Sequence, residues 1–461
     1  MRSSPGGKVL RRNFVRSLFS GLLLAVFSAG PGRGRAAGHY DFRHGVASGD
    51  PLADSVIIWT RVSGATAEDV RVEWQVATDA ALRNVIQAGH VETDASRDYT
   101  VKVDVGGLPA GTTLFYRFRV ADAASQTGVT RTLPTGELAV ARFAVVSCSN
   151  FPFGYFHAYR EIAERRDIDA VIHLGDYIYE YGLGEYATEY AEQLDRVPDP
   201  VHECISLGDY RRRHAQYKSD PDSQSMHAAH PLIAVWDDHE IANDCWRGGA
   251  QNHNGDEGRW GRRRDAALQA YFEWMPVRGA SRGKRTRIFR EFHYGDLLSL
   301  TMLDTRLYGR DRQPEFEDGM ERSEIERMLA DSDRRMLGRK QERWLRESLE
   351  RGRQMTWQVV AQQVLMSPVK APDLEPLLDR DGPSMISREL LDYSIAMSKG
   401  NPPLLLDTWD GYAGARQELL SDLEEHATNP VILSGDLHTS MAGDLYRHSD
   451  ADPVAVEFLT T

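Results

Sequence analysis

Cysteine is scarce in this sequence. The 461 residues include 3 cysteines, at Cys148, Cys204 and Cys245. An odd number cannot pair completely, so at least one thiol stays free even in an oxidising compartment. If any disulfide forms, we expect it between Cys204 and Cys245. Cys148 follows an apolar strand, where a metal ligand would sit, although a buried and inert thiol is the usual fate of a free cysteine.

Basic residues are fewer than acidic ones: the sequence has 55 Lys and Arg against 68 Asp and Glu, and its formal net charge is −13. This excludes a general binder of nucleic acid or of anionic membranes, because such partners require a basic face. A local basic pocket for one phosphate remains compatible with it. Beyond residue 37 no apolar run is long enough to span a bilayer, so no integral membrane segment is expected after removal of the N-terminus.

The first 37 residues contain no acid and seven basic residues around an apolar stretch at 19–29. A basic start, a short apolar centre and a small-residue end at Ala36-Ala37 are typical of a signal peptide. Arg11 and Arg12, followed by Asn-Phe-Val, fit a twin-arginine signal. The sequence therefore predicts an exported protein, periplasmic or extracellular, that meets the twin-arginine export machinery transiently. An ordinary Sec signal is the alternative.

Two regions with different patterns follow the signal. Residues 40–135 contain short β-branched and aromatic runs punctuated by Gly, Pro and Asp, which predicts a small antiparallel β-sandwich. From residue 140 to 461, apolar strands alternate with helical stretches, which predicts an α/β domain. A long, acidic, Tyr-rich loop is predicted at about 182–207, and it could lie over the functional site of the α/β domain.

Residue types that bind metals follow several of the predicted strands in the second region. The carboxyl ends of strands are where open α/β sheets bind ligands, so side chains distant in sequence are expected to converge there. Each motif alone has a common structural explanation, a turn after a strand or a hydrogen-bonded core histidine. Their repeated occurrence directly after buried strands favours a metal site. The candidates are Cys148, Asp176, Asp238 with His239, and Asp436 with His438.

These motifs resemble those of the alkaline phosphatase D (PhoD-like) family of calcineurin-like metallophosphoesterases. The resemblance covers nearly everything from Phe42 onward. It implies a four-layer αββα sandwich preceded by the small β-sandwich. The motifs are Gly45-Val-Ala-Ser-Gly-Asp-Pro51, Gly175-Asp-Tyr-Ile-Tyr-Glu180, Trp236-Asp-Asp-His-Glu240, Asp304-Thr-Arg306 and Ser434-Gly-Asp-Leu-His438.

The resemblance also implies a set of metal ligands. Asp176 would bridge two cations, one of them Fe³⁺ bound by Cys148, Tyr179 and His438. Asp238 and Asp436 stand where related enzymes have Asn and His, and their hard oxygens favour Ca²⁺ for the second site. Asn150 is an additional ligand candidate, and Mn²⁺ or Zn²⁺ remain alternatives to both ions.

The implied reaction is hydrolysis of small phosphoesters by metal-activated water. His239 would act beside the scissile phosphate as charge stabiliser or proton donor. Arg306 would clamp the phosphate, because a guanidinium matches phosphate geometry, although a salt bridge with Asp304 is an equal alternative. A narrower phosphodiesterase and a secreted binding protein with structural metals are the competing functions.

The sequence departs from the family pattern in two places. It ends at Thr461, where family members usually continue, which predicts a catalytic region that is shortened or lacks part of the natural C-terminus. A third histidine landmark is unclear, and Gln362 and Gln363 stand near its place.

Overall fold

Two six-stranded sheets that share one hydrophobic core form the centre of the structure, a computed structural model. It describes residues 40–65, 69–279, 287–315, 322–370, 402–448 and 452–461, and positions 372, 375, 395, 398 and 399. The predicted signal peptide, residues 1–37, lies outside these residues. Among them, no helix has the length and apolar character needed to cross a membrane.

The described strands are β1 (Val46–Gly49), β2 (Ser55–Arg61), β3 (Val70–Ala77), β4 (Val85–Thr93), β5 (Thr100–Gly106), β6 (Thr113–Val120), β7 (Ala123–Ala124), β8 (Gly128–Arg131), β9 (Phe143–Val146), β10 (Ala170–His173), β11 (Pro231–Ala234), β12 (Arg290–Tyr294), β13 (Leu298–Met302), β14 (Trp357–Ala361), β15 (Pro430–Ser434), β16 (Met441–Leu445) and β17 (Ala455–Leu459). The described α-helices are α1 (His157–Glu164), α2 (Leu207–Ser219), α3 (Pro221–Ala229), α4 (Trp260–Trp274), α5 (Arg322–Leu329), α6 (Arg339–Arg351) and α7 (Ala413–His426).

The first central sheet has the order β5-β2-β1-β11-β10-β9, and the second has the order β12-β13-β14-β15-β17-β16. In the first sheet, β1, β11, β10 and β9 run parallel. In the second, β13, β14, β15 and β17 run parallel, and antiparallel strands β12 and β16 form its edges. Several strands of both sheets therefore end at the edge where a site is expected.

Successive side chains of a strand point to opposite faces of its sheet, and this alternation shows how the layers pack. In β14, Val359 and Ala361 join the core between the sheets, whereas Val360 joins a second core that contains residues of α6 and α7. Leu345 and Leu349 of α6 are buried in that second core. Tyr210 of α2 packs into the core of the first sheet. This is the expected α/β sandwich.

The N-terminal strands are divided between two sheets. A five-stranded sheet contains β4, β3, β6 and β7 in that order, with β8 paired to β6. It shares a core with β2 and β5, where Ile58 and Val101 meet Val72 and Phe118. Strands β1, β2 and β5 belong to the first central sheet, so the small sandwich is continuous with it. The domain boundary predicted between residues 135 and 140 stays a prediction.

Candidate metal centre

Potential ligand side chains from both central sheets converge at the carboxyl ends of their strands. There are three groups, and within each group the potential ligand atoms lie within 4.8 Å of one another. Asp176, which follows β10, belongs to every group. A carboxylate has two oxygens, so one side chain can serve neighbouring cations. The groups are Cys148, Asp176 and His438; Asp176, Asp238 and His239; and Asp176, Asp237, Asp238 and Asp436.

Tyr179 extends the first of these groups. Its hydroxyl oxygen lies 3.0 Å from Oδ2 of Asp176 and 3.0 Å from Nε2 of His438. The hydroxyl of Tyr186 lies 3.1 Å from the other ring nitrogen of His438, Nδ1. The sequence-predicted candidates Cys148, Asp176, Tyr179 and His438 are therefore brought together.

The backbone at these positions is left-handed although the residues are not glycine. The φ angles are 55° at Cys148, 54° at Asp176, 70° at Asp436 and 40° at His438. Such conformations cost on the order of 1–3 kcal/mol each and cluster at functional sites. At the preceding Gly175, φ is 115° and a Cβ would lie 2.3 Å from Cβ of Asp237, so only glycine fits.

Glu240 fixes the ends of β10 and β11 against each other. Its carboxylate accepts hydrogen bonds from the backbone N–H groups of Asp176 (3.0 Å), Tyr177 (2.8 Å) and Asp237 (2.8 Å). A buried carboxylate that accepts several backbone donors is well satisfied, so this contact positions Asp176 relative to Asp238. Glu240 ends the motif Trp236–Glu240, and no role was predicted for it from the sequence.

His239 forms a pair with a second carboxylate that sequence analysis missed. Nδ1 of His239 lies 2.7 Å from Oε2 of Glu180, whose other oxygen accepts from the backbone of Asn243 and from Nδ2 of Asn252. Burial alone would lower the pKa of His239, but the charges of Asp238, Asp176 and Glu180 raise it well above its usual value. Glu180 is the last residue of the motif Gly175–Glu180, which was the available signal.

Arg306 has a different environment from the one expected. Its side chain is 0% exposed, and its guanidinium donates to Asp237, to Asp407 at 2.6 Å and to Asp436 at 3.0 Å. Asp304 accepts from its backbone N–H instead. The expected salt bridge with Asp304 is therefore wrong, because Arg306 pairs with other acids. The phosphate clamp stays a prediction, and this geometry gives it no support because carboxylates occupy the donors of Arg306.

The acids of the centre carry more negative charge than their surroundings neutralise. Burial and then neighbouring carboxylates raise the pKa of Asp436 well above its usual range. Burial also raises the pKa of Asp237, to about 7, although Arg306 opposes the shift. Oδ2 of Asp237, Oδ1 of Asp238 and Oδ1 of Asn150 are buried without a hydrogen-bond partner. Acceptor oxygens without donors fit a site for metal cations. The role of Asn150 as a ligand stays a prediction.

A cavity of about 630 Å³ opens over the centre. Asp176, Asp238 and His239 line it together with Tyr181 and Tyr186. The predicted Tyr-rich loop therefore reaches the site through Tyr186. A second stretch, Leu404–Thr408, also lines the cavity, and sequence analysis gave it no role because nothing in it resembles a ligand motif.

Several other sequence candidates take structural positions. Cys204 and Cys245, the pair expected if any disulfide formed, are both buried and both free. His173, which precedes the motif that begins at Gly175, is a buried core histidine whose Nε2 lies 2.9 Å from the hydroxyl of Tyr159. Gln362 and Gln363 are buried in hydrogen bonds, Gln362 to Ser434 and Gln363 to Leu303.

Known proteins resemble this chain along most of its length. The family described as PhoD-like phosphatase matches residues 143–461, and its N-terminal domain family matches residues 28–134. Alkaline phosphatase D of Bacillus subtilis (strain 168) is 35% identical over 419 residues, which are 88% of this chain and 66% of that protein. A solved structure of PhoD superposes with a TM-score of 0.79 at 32% identity, covering 93% of this chain and 78% of that one. The chain thus spans just under two thirds of the curated relative's length.

We expect Arg306→Met to destabilise the protein by about 3–5 kcal/mol, because it leaves buried carboxylates without their cation. Urea unfolding in the presence of a chelator measures this loss. Arg346→Met is the control: its guanidinium is partly exposed and pairs with Asp422 at 2.9 Å, and such pairs contribute up to about 1 kcal/mol. Equal losses in the two variants would contradict the structural role of Arg306.

Proposed function

This chain belongs to the PhoD-like phosphatase family, and from that premise we propose that it is an exported, metal-dependent hydrolase of phosphomonoesters or phosphodiesters. The whole-protein activity is part of the proposal, because the chain spans 66% of the curated relative. The observation that carries the proposal is the position of Asp176, whose carboxylate belongs to all three groups of potential ligands.

The donor set divides by chemistry. Cys148, Tyr179 and His438 provide thiolate, phenolate and imidazole, which suit Fe³⁺, whereas Asp238 and Asp436 provide the hard oxygens that suit Ca²⁺. Asp176 would contribute to both sides. When bound, the cations would supply Lewis acidity toward phosphate oxygens and water.

His239 would act on the leaving group. Because Nδ1 faces Glu180, the other ring nitrogen is the one available to the cavity that His239 lines. A proton held there can be donated to the departing alkoxide oxygen. Glu180 acts as a positioning residue, since its second oxygen is anchored by Asn243 and Asn252 and the pair is buried.

The activity test compares two leaving groups with metal-loaded protein. We expect hydrolysis of p-nitrophenyl phosphate or its bis-ester, lost with chelator and restored by metal. His239→Gln should lower kcat about 10²–10⁴-fold on an alkyl phosphate and less on the nitrophenyl ester, whose leaving group needs little protonation. Glu180→Gln keeps the side-chain volume and should shift the pH profile with a smaller loss.

Two outcomes would contradict these assignments. Metal-loaded wild type that cleaves neither kind of ester would reject the hydrolase. Equal losses of His239→Gln on both leaving groups, at unchanged metal content, would reject proton donation and leave charge stabilisation as the role of His239.

The iron assignment is tested by elemental analysis and a visible spectrum. We expect iron with calcium, and a visible absorption band from phenolate bound to ferric iron. Tyr179→Phe should lose or shift this band, whereas Tyr186→Phe should keep it, because the hydroxyl of Tyr186 contacts only the far nitrogen of His438. A colourless protein that contains only zinc or manganese would overturn the assignment of Tyr179.

Export is proposed from residues 1–37, which carry the paired Arg11 and Arg12. Fused to a reporter that folds before export, this segment should direct it out of the cytoplasm. The double change Arg11→Lys and Arg12→Lys should abolish export, because twin-arginine signals depend on both arginines. The control is Arg16→Lys, outside the pair. Unchanged export of the double variant would indicate a Sec signal.

A further inference from the structure

Within the described residues, no lysine or arginine lines the cavity over the metal centre to meet a second anionic group. We propose that its substrates are phosphoesters of neutral or positively charged alcohols. This inference rests on the proposed function and concerns the part of the substrate that leaves. It follows from the charge, the hydrogen-bonding groups and the apolar surface of the cavity walls.

Acids dominate the charged groups of the cavity. Six line it, and within the described part of the chain neither lysine nor arginine does. The proposed metal ligands are three of the six, and bound cations would neutralise them. The remaining three must be considered one by one. The six are Asp176, Asp238, Asp244, Glu315, Asp407 and Asp436.

Two of the remaining acids already have cations. Asp407 accepts from the buried guanidinium groups of Arg306 and Arg310. Glu315 lies 2.9 Å from the guanidinium of Arg312. The carboxylate of Asp244 differs, because the described residues give it neither an ion pair nor a hydrogen bond. Asp244 is therefore a carboxylate without a direct cation partner, which a substrate meets beyond the metals.

Gln313 is an independent sign of a ligand in the same cavity. Its side chain lines the cavity and is 7% exposed, yet its carboxamide oxygen is buried without a hydrogen-bond partner. A buried acceptor left unpaired costs free energy that a bound donor would recover. The carboxylate of Asp244 and the carboxamide oxygen of Gln313 are both acceptors, so a hydroxyl or ammonium group on the alcohol suits these oxygens and a carboxylate or second phosphate does not.

The rest of the wall suits the carbon skeleton of the alcohol. Leu404, Leu405 and Leu406 line the cavity with Pro314, and Tyr186 lines it as well. Leu404 is 53% exposed. Burying a carbon skeleton against such side chains favours binding without requiring charge on the ligand.

Two substrates that differ in one charged group test the effect of negative charge on the alcohol. Glycerol 3-phosphate and 3-phosphoglycerate share a three-carbon chain, and the second carries a carboxylate in place of a hydroxymethyl group. We expect kcat/KM of the metal-loaded wild type to be about tenfold higher for glycerol 3-phosphate, because the carboxylate is repelled by Asp244. The ratio should fall as salt is raised, since salt screens this repulsion.

Variants then locate the effect. Asp244→Asn should bring the ratio toward one by raising kcat/KM for 3-phosphoglycerate. Glu315→Gln is the matched control and should change the ratio less, because Arg312 already neutralises Glu315. The salt series on the wild type tests the same charge if Asp244→Asn folds poorly.

The outcomes separate this inference from the proposed function. Hydrolysis of p-nitrophenyl phosphate with a wild-type ratio near one, or with a ratio that neither salt nor Asp244→Asn changes, would overturn the inference alone. Failure to cleave any of the three esters would overturn the proposed function and the inference with it.

Discussion

The structure depends on the compensation of buried negative charge around Asp176. Asp176, Asp237, Asp238 and Asp436 place carboxylate oxygens within 4.8 Å of one another at the meeting point of two sheets. Carboxylates so close together in a buried place repel one another and resist ionisation. Positive charge must therefore come from the protein or from bound cations. Arg306 supplies part of it from within, and Oδ2 of Asp237, buried without a hydrogen-bond partner, marks where more is needed.

The two sources of positive charge have separate positions. Arg306 lies fully buried, and its donors are taken by acids, so it holds the loops after β11, β13 and β15 together without reaching the cavity. Glu240 also holds loops together, in this case within the first sheet, because its carboxylate accepts hydrogen bonds from the backbone after β10 and β11. Rigid loops of this kind let residues such as Asp176 keep a left-handed backbone that an isolated chain would avoid.

Sequence alone predicted what depends on local pattern. The β-branched and aromatic runs of residues 40–135 predicted strands in the region where the structure has β1 to β8, and the α/β alternation placed Cys148, Asp176, Asp238 and Asp436 after strands. Parallel strands end at one edge, so convergence of these residues followed from the fold. Other features depend on contacts between distant segments. Arg306 has donors enough for several acids, and nothing near it in sequence shows that Asp407, 101 residues away, is one of them.

The same distinction explains why the chemistry of the centre was easier to predict than its selectivity. Ligand residues follow strands and carry recognisable side chains, whereas the cavity walls come from Leu404–Thr408, Gln313 and Asp244, which no motif connects. Arg306 and Arg310 pair with Asp407, and no lysine or arginine of the described residues lines the cavity. Attraction for phosphate then comes from bound cations, and the walls act on the remainder of the substrate through repulsion, hydrogen-bond acceptance and apolar contact. Binding the phosphate and selecting the alcohol are thus carried out by different residues of one cavity.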